Sequence, residues 1–442
     1  MNNTRKFSTK IKKFFKKLGP GIITGASDDD PSGIATYSQA GARFGFATLW
    51  TTFLTFPLMA GIQEMCARIG LVTSVGLTST LKKYYSKPLL YFMMLFSVPA
   101  MILNIGADIA GMGAVANLIF PSVRPMLFSI GFTILLIFLI IYLPYKKIVA
   151  VLKYLCLSLL LYIAIPFFTH TDWSKVFKAT IIPTIKFNKE FIEIIVAILG
   201  TTISPYLFFW QVSMEAEDVK KSRQLLIARK KIVNKSETDG DTKKKENRFM
   251  GLLIKRMEAD VIIGMFLSVL VMYFIILTAG TVLFSNGLTQ IDTVEQAAKA
   301  LEPIAGKSSY LLFAIGVIGT GLLAIPVLSG SLSYIVSETF GWKGNLDKKF
   351  YQAKPFYIVI IISLIVGLLI NEIGISPVKA LLYTAILYGL TSPILIAIVL
   401  HIANNKKIMK EHTNGKLSNW LGVITLIVMT AAAVTLIYFQ FR

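Results

Sequence analysis

Three aspartates stand in a row, Asp28, Asp29 and Asp30, and Pro31, Ser32 and Gly33 follow directly. The sequence on either side is apolar: Leu18-Gly-Pro-Gly-Ile-Ile-Thr-Gly-Ala-Ser leads in, and apolar residues resume at Ile34. Carboxylates in such surroundings are costly unless they face water, a cation or one another. Pro31 and Gly33 make a continuous helix unfavourable at this point. The economical arrangement is two half-helices joined by an unwound stretch, with the acids at the joint. A second segment repeats the device. Gly200-Thr201-Thr202-Ile203-Ser204-Pro205-Tyr206 places a proline and a cluster of hydroxyls inside an otherwise apolar run. Unwound carbonyls and carboxylates together make an oxygen-rich site, which suits a hard cation.

The elements that must carry these segments are membrane spans. The chain has 442 residues, 55% of them hydrophobic and only 16% charged, with a mean hydropathy of +0.66. Its apolar runs recur at about 20 residues, the length an α-helix needs to cross the hydrocarbon core. Backbone polar groups cannot stay unpaired in lipid, so these runs are helices. Long unbroken apolar runs exclude a β-barrel, whose strands would alternate. Eleven spans are expected, at 18–46, 47–72, 89–120, 126–144, 147–168, 190–216, 258–284, 308–338, 355–373, 376–401 and 418–440. The fold class is therefore all-α and polytopic. The two interrupted spans are the first and the sixth. Five is an odd offset, so a second set of five spans runs inverted relative to the first, and paired broken helices in inverted repeats mark a midplane binding site.

A net charge of +21 raises the question of nucleic acid, and its distribution answers it. The clusters at Arg5–Lys17, Lys82-Lys83, Lys146-Lys147, Lys348-Lys349 and Lys406–Lys410 all fall on one side when eleven spans are counted, as does the stretch 217–257 with its KKSR, ARKK and TKKKENR runs. This is the positive-inside pattern, with the N-terminus cytoplasmic and the C-terminus outside. No nucleic acid partner is expected, no obligate protein partner is evident, and the localisation read here is the plasma membrane. The 217–257 stretch is read as a basic cytoplasmic loop that contacts anionic lipid or is in part a disordered linker. Met1–Lys17 is a basic tail without the features of a cleavable signal. Cys66 and Cys156 lie in apolar runs and read as small buried hydrophobes, not as metal ligands or a disulfide. Gly316-Val-Ile-Gly319-Thr-Gly321 follows no strand, so it reads as close helix packing and not as a phosphate loop. Thr384, Tyr388, Thr391, Ser392 and Asn104 read as interhelical hydrogen-bonding residues.

Leu18-Gly-Pro-Gly-Ile with Asp30-Pro31-Ser32-Gly33 resembles the opening of the Nramp divalent-metal transporters, which read Asp-Pro-Gly-Asn. Gly200–Tyr206 lies where that family has Met-Pro-His, and Gln63–Thr73 and Asn104–Ala110 also resemble family segments. The resemblance runs along nearly the whole chain in order. It implies a LeuT-type 5+5 inverted repeat: a cytoplasmic tail at 1–17, a first repeat at 18–168, a second at 190–401, and an eleventh span at 418–440. It also implies a metal site at Asp30, Gly33, Thr201, Thr202, Ser204 and Tyr206, with Asp29 beside it. The family's aspartate is kept as Asp30, whereas its asparagine is Gly33, its methionine Ser204 and its histidine Tyr206. In the third span the family's aspartate matches Asp108, and the glutamate three residues on, tied to proton movement, is Gly111.

These departures have a chemical direction. A thioether favours transition metals, whereas Mg2+ prefers oxygen and keeps several of its waters. Loss of the methionine and the asparagine leaves a wider polar cavity suited to a hydrated ion, with Asp30 as its counter-charge and waters bridging to Ser204 and to the carbonyls of Thr201 and Thr202. The pattern is similar to the Nramp-related magnesium transporters. His170, His401 and His412 all lie outside mid-membrane positions, so with Gly111 no proton relay of the usual kind is expected. The expected function is facilitated transport of Mg2+, with Mn2+ also accepted, driven by a membrane potential worth ~4.6 kcal/mol for a dication at 100 mV. No enzyme activity and no resident cofactor are expected. The alternatives are a proton-coupled Mn2+ or Fe2+ transporter, a membrane sensor, and a LeuT-type carrier of organic substrates.

Overall fold

The computed structural model describes residues 19–143, 147–148, 157–233 and 239–441. The tail at 1–17, Cys156 and most of the expected fifth span lie outside the described residues, as do 234–238. Among the described residues every regular element is helical.

The first expected span is α1 (Pro20–Asp28) and α2 (Pro31–Phe44), broken at Asp29-Asp30. Then come α3 (Trp50–Thr73), the short α4 (Leu77–Tyr84), α5 (Lys87–Ile119) and α6 (Pro125–Tyr142). The end of the fifth span is α7 (Leu161–Phe168), and α8 (Trp173–Ile181) follows it. The sixth span is α9 (Lys189–Thr202) and α10 (Pro205–Val233), broken at Ile203-Ser204. The chain continues through α11 (Asp239–Val282), α12 (Ser309–Phe340), α13 (Lys354–Ile370), α14 (Pro377–Asn404) and α15 (Lys416–Gln440). Among the described residues, seven helical stretches are long and apolar enough to cross a membrane, with α13 a shorter apolar helix. The first span misses that standard because it is broken, and α3 carries Gln63, Glu64 and Arg68.

Two expectations change. The stretch 217–257 was expected as a loop; its described backbone is helical, because α10 and α11 run past the apolar core into their charged flanks. Lys and Glu are good helix formers, and an existing helix extends at low cost. The nine helical residues after the fifth span, α8, were not expected; Asp172 caps them by accepting a hydrogen bond from the Lys175 amide at 3.1 Å.

Side-chain contacts gather the basic segments at one end of the bundle. Lys82 Nζ donates to the Thr339 carbonyl at 2.7 Å, Lys221 pairs with Asp347, and the Tyr85 hydroxyl lies 2.6 Å from His401 Nδ1. The half-helix α1 packs along α11 so closely that backbones touch. A Cβ on Gly25 would lie 2.2 Å from the Gly264 carbonyl oxygen, and one on Gly264 would lie 2.2 Å from that of Gly21. Only glycine permits this approach.

Candidate metal site

The two helix breaks have the same construction. In each, a proline opens the second half, Pro31 in α2 and Pro205 in α10. Proline suits that position because its missing N–H is one that the first turn leaves unpaired anyway. The last residue before each break has a similar backbone: Asp29 at φ −80°, ψ 55° and Ile203 at φ −103°, ψ 59°. At each break a half-helix C-terminus and a half-helix N-terminus come together, and the carbonyl end favours a positive charge.

The breaks meet at Gly33. A Cβ there would lie 3.4 Å from Thr201 Oγ1 and 3.5 Å from the Asp28 carbonyl oxygen. Ser32 Oγ and Thr201 Oγ1 are 3.4 Å apart. Asp30 caps α2: its Oδ1 accepts from the Gly33 amide and from Ser32 Oγ, each at 2.7 Å, and its Oδ2 accepts from Asn104 Nδ2 at 3.0 Å. Asp28 turns the other way, its Oδ2 accepting from Ser268 Oγ of α11 at 2.6 Å. Asp29 Oδ1 and Asp28 Oδ1 are buried and find no hydrogen-bond partner.

The remaining expected residues fall into the same region with different tasks. Ser204 Oγ donates to the Thr201 carbonyl, and Ser392 Oγ of α14 donates to the Ile203 carbonyl at 3.0 Å. Thr202 Oγ1 donates back to the Ile198 carbonyl at 2.7 Å and lies 3.1 Å from the Tyr37 hydroxyl. The Tyr206 hydroxyl donates to the Ser27 carbonyl at 2.9 Å, so it ties the end of α1 to the start of α10. Tyr206 also packs on Tyr388, with ring centroids 5.9 Å apart. Asn104 and Ser392 make the interhelical hydrogen bonds that the sequence led us to expect, and they make them at the breaks, whereas the sequence reading gave Ser268 no role.

Electrostatics gives the site its character. Asp28, Asp29, Asp30 and Asp108 are at most 4% exposed. Among the described residues, the ion pairs are made by Arg43, Arg68, Lys175 and Lys221, and none involves these four aspartates. Carboxylates buried together without a protein cation are strongly unfavourable as anions, so the arrangement is relieved by bound positive charge, either a metal ion or protons. Among the described residues, no three His, Cys, Asp or Glu side chains converge on a common point. The carboxylates diverge toward α5 and α11, so an ion here has few direct protein ligands and many polar neighbours.

A polar ladder leaves this region along α1. Thr24 Oγ1 donates to Gln211 Oε1, and Gln211 Nε2 donates to Glu215 Oε1 at 3.1 Å. At the far end of α1, Asp260 of α11 accepts from the Gly19 amide at 3.1 Å and the Gly21 amide at 2.7 Å. A cavity of about 190 Å³ beside it is lined by Glu215, Asp218 and Asp260 among others. In the sequence Glu215 and Asp260 stand where apolar runs pass into charged ones, beside Glu217, Asp218 and Glu258, so no local signal singles them out.

Comparison with known proteins places this geometry. A family model described as natural resistance-associated macrophage protein-like (Nramp) matches residues 21–439. The chain is 25% identical over 419 residues to a divalent metal cation transporter MntH of Caldanaerobacter subterraneus subsp. tengcongensis, covering 94% of this chain and 90% of that one. It is 23% identical to the protein of the same name in Clostridium acetobutylicum, covering 100% and 95%. Among solved structures it is similar to the manganese transporter of Eremococcus coleocola, with a TM-score of 0.71 at 17% identity over 96% of this chain and 87% of that one. A nucleobase-cation-symport-1 family transporter in a closed conformation matches with a TM-score of 0.53 at 13% identity, over 95% and 89%. These likenesses carry the fold, a LeuT-type bundle with its first and sixth spans broken. The chain is a membrane-embedded member of the Nramp family.

Proposed function

We propose that this protein carries divalent metal ions across the plasma membrane, with hydrated Mg2+ as its main substrate and Mn2+ also accepted. The observation that carries the reading is the set of buried carboxylates at the first break, left without a protein cation among the described residues and ringed by hydroxyls and carbonyls. The similar proteins named as divalent metal cation transporters support the metal class. The choice of Mg2+ rests on the donor set: Asp30, the Ser204 and Thr201 hydroxyls and the carbonyls of both breaks are hard oxygens. No thioether or imidazole stands at Gly33, Ser204 or Tyr206. Oxygen donors of this kind suit a hydrated hard dication better than a dehydrated transition metal.

The transport is uncoupled from protons in this reading. At Gly111, where the family's glutamate would stand, a Cβ would lie 3.2 Å from Leu381 Cδ1 and 3.8 Å from Pro31 Cβ. A side chain there would need Leu381 to give by only a few tenths of an ångström, so the reading rests on the glycine itself, which carries no titratable group to relay a proton. The basic end of the bundle faces the cytoplasm, where the charged ends of α10 and α11 meet anionic lipid.

Competition tests the substrate. In proteoliposomes, Mg2+ in excess suppresses Mn2+ uptake, and Asp30→Asn abolishes the uptake of both. Mn2+ uptake that is indifferent to excess Mg2+ would instead favour a conventional transition-metal carrier.

A further inference from the structure

Asn104 and Asp108 lie one turn apart on α5, and both are fully buried. Asn104 Nδ2 donates to Asp30 Oδ2 at 3.0 Å and to Asp108 Oδ2 at 3.4 Å. Both of its neighbours are carboxylates, so the amide must present its hydrogens to them. A flipped amide would set three acceptors against one another. The orientation therefore fixes Asn104 Oδ1 on the opposite side of the amide, and that oxygen is buried without a partner. Asp108 Oδ1 is likewise buried and unpartnered. Simple helix packing explains the two donated bonds but leaves two acceptors unsatisfied beside the metal site. Orphaned buried polar atoms of this kind require a ligand, an ion or water.

A hydrated dication presents only donor hydrogens on its outer surface, so the cavity that holds it has to supply acceptors. We infer that Asn104 Oδ1 and Asp108 Oδ1 form a third wall of the cation site, on α5, and accept hydrogen bonds from the water shell of the ion held at Asp30. The inference rests on the hydrated-ion reading given above. It makes Asn104 a bridging residue: its nitrogen fixes the Asp30 carboxylate while its oxygen reads the hydration shell. It also assigns Asp108 an outer-sphere role in substrate recognition. A dehydrated metal has no such hydrogens to offer, so this wall selects for an ion that keeps its water.

Hexaamminecobalt(III) tests the assignment, because its inert ammine ligands imitate the outer surface of a hydrated ion and are not displaced by protein oxygens. The full chain is reconstituted in liposomes and Mg2+ uptake is measured against increasing complex. The expected result is inhibition of the wild type, with the half-inhibiting concentration raised about tenfold in Asp108→Asn, the loss expected for a hydrogen bond to a charged group. Asn104→Leu is expected to raise it by at least as much. Asp108→Asn preserves shape and Asn104→Leu preserves volume, so either variant decides the matter if the other fails to fold. Inhibition of the wild type with the same half-inhibiting concentration in the folded variants would overturn the third wall and leave the hydrated-ion reading standing. A wild type indifferent to the complex would remove the hydrated-ion reading itself, and the inference with it.

Discussion

Replacing Asp260 by alanine releases the free end of the first half-helix. Asp260 accepts the Gly19 and Gly21 amides at 3.1 and 2.7 Å, two of the donors that a helix start leaves unpaired. Hydrogen bonds to a charged acceptor contribute about 1.5 kcal/mol each at the low end, and a carboxylate at a helix N-terminus adds about 0.5 kcal/mol. The side chain is half-buried, so solvent screening trims the sum, and the loss on Asp260→Ala is about 2–3 kcal/mol. That shifts a local open–closed equilibrium by about 30- to 150-fold. The assay is amide hydrogen exchange, followed by mass spectrometry on peptides spanning 19–28, with peptides from 416–440 as the internal reference. Exchange in the first segment is expected to rise by that factor while the reference stays constant. Asp260→Asn keeps one strong acceptor and is expected to show roughly half the free-energy loss. Unchanged exchange over 19–28 in a folded Asp260→Ala protein would refute the idea that this carboxylate holds α1 closed.

Three other outcomes follow from the same geometry. Gly264→Val forces α1 away from α11, because a Cβ at 264 would lie 2.2 Å from the Gly21 carbonyl oxygen. Overpacking of this kind costs about 1–3 kcal/mol, so a lower melting temperature and faster exchange over 19–28 are expected. Tyr206→Phe removes the bond to the Ser27 carbonyl and costs about 1 kcal/mol. Titration of Mg2+ binding should show affinity within about fivefold of wild type, whereas a tyrosine that ligated the ion would cost far more. Gly33→Asn combined with Ser204→Met places an amide and a thioether at the two breaks. Space at Gly33 is near ordinary contact, with Tyr37 Cε2 at 3.3 Å and Thr201 Oγ1 at 3.4 Å from an added Cβ. The ratio of Mn2+ to Mg2+ uptake is expected to rise about tenfold, as a softer ligand set favours the transition metal.

The broken spans were legible because their signals are local: a proline, a glycine and a run of acids inside apolar sequence leave few alternatives. Their pairing was legible from parity, since the offset of five spans puts the repeats in opposite orientation. The partners that complete the site were harder to find. Asn104, Ser268 and Ser392 are uncharged polar residues in apolar helices, and such a residue satisfies either a neighbouring helix or a ligand. Only the packing of α5, α11 and α14 around the breaks separates the two. Tyr206 shows the opposite difficulty. Its position matches a metal ligand in the family, while its hydroxyl is spent on the Ser27 carbonyl. The charged flanks of α10 and α11 were misread as loop because low hydrophobicity was taken as low helicity, although Lys, Arg and Glu carry good helix propensity of their own.

The decisive measurement is Mg2+ influx into proteoliposomes under an imposed inside-negative potential, with an internal Mg2+ indicator and an internal pH dye read together. The expected result is Mg2+ accumulation at constant internal pH, lost in Asp30→Ala. Silence toward Mg2+, together with Mn2+ influx that acidifies the interior, would contradict both the proposed substrate and the absence of proton coupling.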